Sequence, residues 1–228
     1  MDYFSIDRFK KAFTQIMPYL HITFDFVIVC VIVSTILAVA IAVLRIKKIP
    51  VVHQVIGVYI SYMRGVPFLV QLLVIYYGLP ILVNYLFGIN IIRWDGMIFA
   101  KIAMIMNETA FLGETIRGAI LSVPTVQKEA GYSIGMTRFQ TFIRVILPQA
   151  IRVLVPAYGT ALVGMLQSTS MLYTIGVVDI MQRSKSIAAS TGHVFEGYAV
   201  CAVIYIVSSL IIKLVFNVVE RKMSYGRG

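Results

Sequence analysis

The chain of 228 residues is 59% hydrophobic and only 13% charged, about half the charged share of a soluble domain. This composition excludes an ordinary water-soluble globule and indicates a helical membrane protein. Its net charge of +10 reads as basic loops facing the cytoplasm, because aromatic and basic residues do not interleave as a nucleic-acid surface would require.

Hydropathy predicts five spans, at residues 22–44, 62–84, 96–118, 152–174 and 194–217. The first holds an uncharged run, FVIVCVIVSTILAVAIAVL at 26–44, long enough for a hydrocarbon layer that needs about 20 residues. It starts late, is too long for the core of a signal peptide and lacks a small-x-small cleavage site, so it reads as a retained helix. Residues 65–92 are also free of charge. Within them, Gly78 and Pro80 are expected to kink or end the second span near Tyr76 and Tyr77, whose rings suit an interface. Cys30 and Cys201 lie in apolar segments and read as small hydrophobes.

Lysines and arginines set the orientation. Arg45, Lys47 and Lys48 follow span one. Lys128, Arg138 and Arg144, flanked by Arg117 and Arg152, lie between spans three and four, and Arg221, Lys222 and Arg227 end the chain. The other side has fewer basic residues, so the N-terminus is expected outside and the C-terminus inside. No repeat or soluble domain interrupts this plan, and residues 1–228 read as one membrane domain. The polar segment 176–193 is expected to be a short outer helix or re-entrant piece.

The largest polar element, between spans three and four, reads EAGYSIGMTRFQTFIRVILPQA at 129–150. Tyr132, Met136, Phe139, Phe142, Ile143 and Ile146 recur at helical spacing, which predicts one helix with one apolar stripe. Gly131 and Gly135 would share a face of it, and Pro148 would end or kink it before the next span. Two readings stand: an amphipathic linker on the lipid surface, or a docking element for a cytoplasmic partner. The glycines favour docking, since each costs a plain surface helix about 1 kcal/mol.

Polar residues inside the spans are candidates for the chemistry. Arg64 is expected near the cytoplasmic end of span two, either snorkelling or serving as a gate or packing element with Gly65 and Pro67. Gln71 can line a pathway or bond another helix. A carboxylate at mid-membrane is expensive, so Glu108, about midway through span three, reads as pathway lining or a contact to a ligand amine, against a buried structural pair. Glu114 stands three residues before Arg117, a spacing that suits a local ion pair. Gln167, Ser168, Thr169 and Ser170 form a polar cluster in span four, for a pathway or for interhelical hydrogen bonds. Tyr173, Arg183 and Lys185 anchor the outer edge or receive a partner there. His21, His53 and His193 show no metal-ligand spacing, and no catalytic triad or paired-acid set is present.

The 129–150 stretch resembles the EAA loop of the permease subunits of bacterial ATP-binding-cassette importers. Glu129, Ala130, Gly135, Leu147 and Pro148 match its pattern, with Gly131 in place of the second alanine. YMRGVPFLVQLLVIYYGLP at 62–80, ETIRGAILSVP at 114–124 and VILPQAIRVLVPAYGTAL at 145–162 resemble the polar amino-acid branch, of the histidine, glutamine, arginine and cystine permeases. The resemblance covers residues 20–218. One departure is clear: where that branch has Lys-Asp-Thr-Ser-Leu, this chain has Gln-Ser-Thr-Ser-Met, so Thr169 and Ser170 carry over and the ion pair does not.

The resemblance implies an all-α integral membrane protein with the type I ABC importer permease fold. It implies a cytoplasmic coupling segment at 125–150, seated on an ATP-binding subunit through Glu129, Ala130, Gly131, Gly135, Phe139, Leu147 and Pro148. The implied partners are a cytoplasmic ATPase dimer, an external amino-acid-binding protein, a second permease subunit (identical or related) and the lipid bilayer of a bacterial cell membrane. No phosphate loop of the G-x-x-x-x-G-K-[ST] kind occurs, so ATP and magnesium are expected in the partner and this chain is not expected to be an enzyme. The implied cargo is a polar amino acid, cystine among the possibilities. Two other classes compete. A stand-alone secondary transporter would use Glu108 as its ion or proton site, but normally shows an internal repeat. A non-transporting scaffold gives no reason for polar residues in separate spans.

Overall fold

The computed structural model describes residues 4–224, which are almost entirely helical. In chain order the helices are α1 (Ile6–Ile16), α2 (Leu20–Lys47), α3 (Pro50–Gly65), α4 (Phe68–Phe87), α5 (Gly96–Leu121), α6 (Thr125–Ser133), α7 (Arg138–Thr141), α8 (Leu147–Ser168), α9 (Ile180–Thr191) and α10 (Val194–Ser224). Among the described residues there is no strand. Five helical stretches are long and apolar enough to cross a membrane. They carry outward apolar residues such as Ile36, Ile81 and Leu214, which suit contact with lipid.

The bundle is built around α5. On α2 the buried positions Phe26, Cys30, Ser34, Ala38 and Ala42 recur every fourth residue, one face of a helix. The alanines let α2 approach α5 closely: a Cβ added at Gly113 would meet Ile41 Cγ2 at 3.0 Å. Phe26, Leu72, Ala103, Met104, Met165 and Leu166 join α2, α4, α5 and α8 in one core.

The second predicted span has to be redrawn. Residues 62–84 are not one helix, because α3 ends at Gly65 and α4 starts at Phe68. Pro67 forces the preceding Val66 into extended backbone, φ −110° and ψ 133°. Nor does the helix end near Tyr77: α4 carries Pro80 inside it and runs to Phe87, where Gly88 turns the chain at φ +68°. One hydrogen bond lost at a proline is tolerated in a membrane helix.

The two ends of the bundle are pinned by charges. At one end Arg45 of α2 and Arg117 of α5 both reach Glu114, at 3.3 and 2.7 Å. At the other, Lys101 meets Asp25 at 3.2 Å and Arg8 of α1 meets Glu196 of α10 at 2.7 Å. There α1 and α9 cap the bundle, with Ala12 and Ile16 packed on Ile180, Ile187, Val200 and Cys201. Within the polar segment 176–193 lies α9, started by Asp179, whose carboxylate accepts the N–H groups of Met181 and Gln182. Burial pushes Asp179 up to about 6, against the pull of those N–H groups.

The basic-end insert and the polar residues within the membrane

The insert differs from the single helix expected of it. Its first part, α6, is followed by a turn at Gly135, with φ +81°, a conformation that disfavours any residue with a Cβ. Thr137 then caps α7: its hydroxyl accepts from Gln140 N while the Gln140 side chain accepts from Thr137 N. The two glycines therefore share no helix face, and Tyr132 and Phe139 stand on separate helices. Thr137-x-x-Gln140 was the available sequence signal.

Gly131 is where the two arms meet. It is buried against Thr141, and a Cβ there would lie 2.7 Å from Thr141 Cγ2. The exchange of alanine for glycine relative to the family pattern is thus not neutral in this chain. Gly131→Ala is expected to loosen the insert, lowering stability by about 1–3 kcal/mol as overpacking does, and Thr141→Ser, which removes the offending methyl, is expected to restore most of it. Limited proteolysis at the 134–137 turn across the four combinations checks this.

Pro148 does not end the helix. The chain runs from α7 through a single π-helical stretch, Phe142–Ile146, into α8, with Pro148 in the first turn of α8. The wider π turn lies where a proline without an N–H interrupts the α pattern. On the surface of the insert, Glu129, Ala130, Gly135 and Pro148 are exposed, Leu147 is half-buried, and Ile134 and Phe139 stand out at 73% and 75% exposure.

The polar residues within the membrane separate into distinct places. Gln71 is 1% exposed and faces protein, not a lumen. Its Nε2 donates to the carbonyls of Met63 at 2.8 Å and Val66 at 2.7 Å, and its Oε1 accepts from Asn107 Nδ2 at 3.0 Å. It thereby satisfies carbonyls left open by the α3–α4 break, which lipid could not. Thr169 is fully buried, bonded to the Leu166 carbonyl at 2.7 Å and to the Tyr205 hydroxyl at 3.0 Å. Ser168 and Ser170 donate to carbonyls of their own helical turns, at 2.9 and 2.7 Å. Of that cluster, Gln167 is the member with an exposed side chain and no such bond.

Arg64 lies just before the start of α4, the second helix long and apolar enough to cross a membrane. Its guanidinium stands 5.6 Å from the centre of the Phe111 ring on α5, and Phe111 lies roughly 4 Å from the midpoint of that helix at a rise of about 1.5 Å per residue. Gly65 and Pro67 beside Arg64 are not buried. Glu108, at the midpoint of α5, is 9% exposed and has no hydrogen-bond or ion-pair partner among the described residues. Glu114 holds Arg117 by paired hydrogen bonds, and Arg45 also touches His53 Nε2 at 3.0 Å. At the opposite end Lys185 lies over the Tyr173 ring at 4.9 Å and Arg183 over Tyr19 at 5.7 Å. Among the described residues no three His, Cys, Asp or Glu side chains gather as a metal site.

Comparison with known proteins agrees with this architecture. Residues 31–225 match the family described as binding-protein-dependent transport system inner membrane component. The chain is 38% identical to the probable amino-acid permease protein YxeN of Bacillus subtilis, covering 94% of this chain and 93% of that one. It is 33% identical to the L-cystine transport system permease protein TcyL of the same organism, over 96% of this chain and 92% of that one. A crystal structure of an amino acid ABC transporter with histidines superposes with a TM-score of 0.83 at 31% identity, covering 97% of this chain and 99% of that chain. The inward-facing MetNI methionine ABC transporter has the same fold, with a TM-score of 0.73 at 17% identity over 92% of this chain and 96% of that one. The chain belongs to the family of inner membrane components of binding-protein-dependent transport systems, and is a multi-pass membrane transport subunit.

Proposed function

We propose that the chain is the translocation subunit of an ATP-driven importer of a polar amino acid, with L-cystine as the first candidate cargo. The observation that carries this is the insert: a pair of short helices at the basic end of the bundle, exposing Glu129, Ile134 and Phe139 and running without a break into a helix long and apolar enough to cross a membrane. Glu129, Ala130 and Phe139 supply the contact to a cytoplasmic ATPase. Gly131 and Gly135 shape the pair, and Leu147 and Pro148 join it to α8. The cargo class rests on relatives whose names give amino acids, cystine or glutamine. ATP and magnesium belong to the partner ATPase, an external binding protein delivers the amino acid, and a second permease subunit completes the path.

The test is uptake into proteoliposomes holding this chain, a candidate ATPase and a candidate binding protein. Labelled cystine, glutamine, arginine and histidine are offered with and without ATP. Glu129→Ala is expected to lower ATP-dependent uptake by about tenfold or more, the effect of losing about 1.4 kcal/mol of coupling, while leaving assembly in the membrane intact. Uptake that proceeds without any ATPase would overturn the reading in favour of a stand-alone carrier using Glu108, the buried carboxylate without a partner.

A further inference from the structure

Where the insert joins the bundle there is a cavity of about 340 Å³, between the turn that links α5 to α6 and the first turns of α8. Ser122 and Gln127 line one wall, and Gln149, Arg152 and Val153 line the other. Among the described residues no carboxylate lines it. Arg152 is exposed, and its guanidinium has no hydrogen bond, ion pair or ring contact among the described residues. The Gln149 amide donates one proton to the Val145 carbonyl at 2.9 Å and keeps the other. Gln127, also exposed, adds a second amide. Such a lining suits an anion and offers nothing to a cation.

The surroundings are cationic, since residues 125–153 hold Lys128, Arg138, Arg144 and Arg152 against a single acid, Glu129. The level is that of a membrane boundary. Ser122 caps the end of α5 and Arg152 lies in the second turn of α8, and both helices are long and apolar enough to cross a membrane. Leu121 and Val126, next in the chain to Ser122 and Gln127, are exposed apolar side chains, as is Val153. A free anion in water makes no use of that flank. An amphiphile uses both parts, with its charged head in the cavity and its chains along Leu121, Val126 and Val153.

We infer that this cavity binds the phosphate head group of an anionic phospholipid of the cytoplasmic leaflet, with Arg152 as the charge partner. The distribution of lysine and arginine puts this end of the bundle in that leaflet. Basic pockets between membrane helices on the cytoplasmic side suit such head groups. The guanidinium fork matches two phosphate oxygens in parallel hydrogen bonds, and the amides of Gln127 and Gln149 donate to the remaining oxygens. The two walls belong to the start of α6 and the start of α8. A bound head group therefore ties the insert to the membrane surface at the point where it enters the bundle. Binding of this kind does not depend on the cargo or on the importer reading.

The test uses the full chain in detergent, offered phosphatidylglycerol and phosphatidylcholine together, with the retained lipid counted by native mass spectrometry. The wild type is expected to prefer phosphatidylglycerol. Arg152→Gln is expected to weaken that preference by about fivefold or more, the contribution of one cation at an anionic surface, with helix content by circular dichroism unchanged. Arg152→Lys is expected to keep part of it, having the charge without the fork. Lys47→Gln removes an exposed cation from the same end but outside the cavity, and is expected to change little. Wild-type preference in Arg152→Gln overturns the inference, and so does an equal loss in Lys47→Gln, which would mean diffuse surface charge. Excess inorganic phosphate is expected to leave the lipid bound; displacement would assign the cavity to a soluble anion and overturn the lipid assignment. In nanodiscs, replacing about one third of the phosphatidylcholine by phosphatidylglycerol is expected to slow cleavage at the 134–137 turn in the wild type and not in Arg152→Gln. Equal cleavage in both lipids overturns the tie to the insert. If Arg152→Gln loses a partner ATPase in phosphatidylcholine alone, Arg152 pairs with a carboxylate of that partner and the inference fails. None of these readouts uses uptake, so failure of the importer reading shows separately, in the proteoliposome assay.

Discussion

Replacing Gln71 by leucine is expected to lower the unfolding free energy of the detergent-purified protein by about 2–5 kcal/mol. The volume hardly changes, but the carbonyls of Met63 and Val66 lose the amide that bonds them. Each buried acceptor left without a donor costs about 1–3 kcal/mol, the buried Met63 carbonyl at the upper end and the part-buried Val66 carbonyl at the lower. Asn107→Leu is expected to be milder, about 1 kcal/mol, because both carbonyls keep Gln71 and one amide contact goes. The check is a denaturant titration read by tryptophan fluorescence from Trp94 together with circular dichroism. A Gln71→Leu protein within about 1 kcal/mol of the wild type would mean that packing against α5 alone holds the break.

Glu114→Ala is expected to be the second most damaging change. It strips the counter-charge from two arginines whose side chains are only 18% and 31% exposed, and Arg45 is left against His53. Breaking a fully buried pair costs about 3–5 kcal/mol, and partial solvation at this end reduces the expected loss to about 2–3 kcal/mol. Glu114→Gln keeps an acceptor for one guanidinium and is expected to lose less. If the charge is the cause, adding Arg45→Ala to Glu114→Ala recovers part of the stability. A strictly additive double variant would show instead that the two residues act independently.

These two sites mark where the sequence could and could not be read. Five spans, the basic end and the Glu114–Arg117 spacing are local properties of composition and helical period, and they were legible. Three features were not. The separate helix Pro50–Gly65 was hidden because hydropathy averages across windows, and an apolar stretch that climbs into the membrane looks like the approach to a single span. Val66-Pro67 is the sign of that break, whereas the sequence reading groups Pro67 only with Arg64 and Gly65 as a gate or packing element. In the insert, a glycine pair at helical spacing outweighed the Thr137–Gln140 capping box, although a glycine at positive φ is what ends a helix. Gln71 illustrates the deeper limit. Its partners are eight and five residues back and thirty-six residues ahead, and no pattern along the chain announces that a glutamine will serve as donor to a neighbouring helix end.

The unbroken path from Arg138 to Ser168 has a mechanical consequence. A rod anchored at one end multiplies displacement by its length: α8 alone is about 33 Å long, so a ten-degree tilt at the insert carries its far end through roughly 6 Å. That far end is where Thr169 is tied to Tyr205 of α10, which makes the last helix the load on the lever. The π turn at Phe142–Ile146 lies between the insert and that arm, where the α-helical hydrogen-bond pattern changes. If the insert moves as proposed, the share of that movement reaching the far end of α8 depends on the five residues of the π turn, Phe142–Ile146, which join the two.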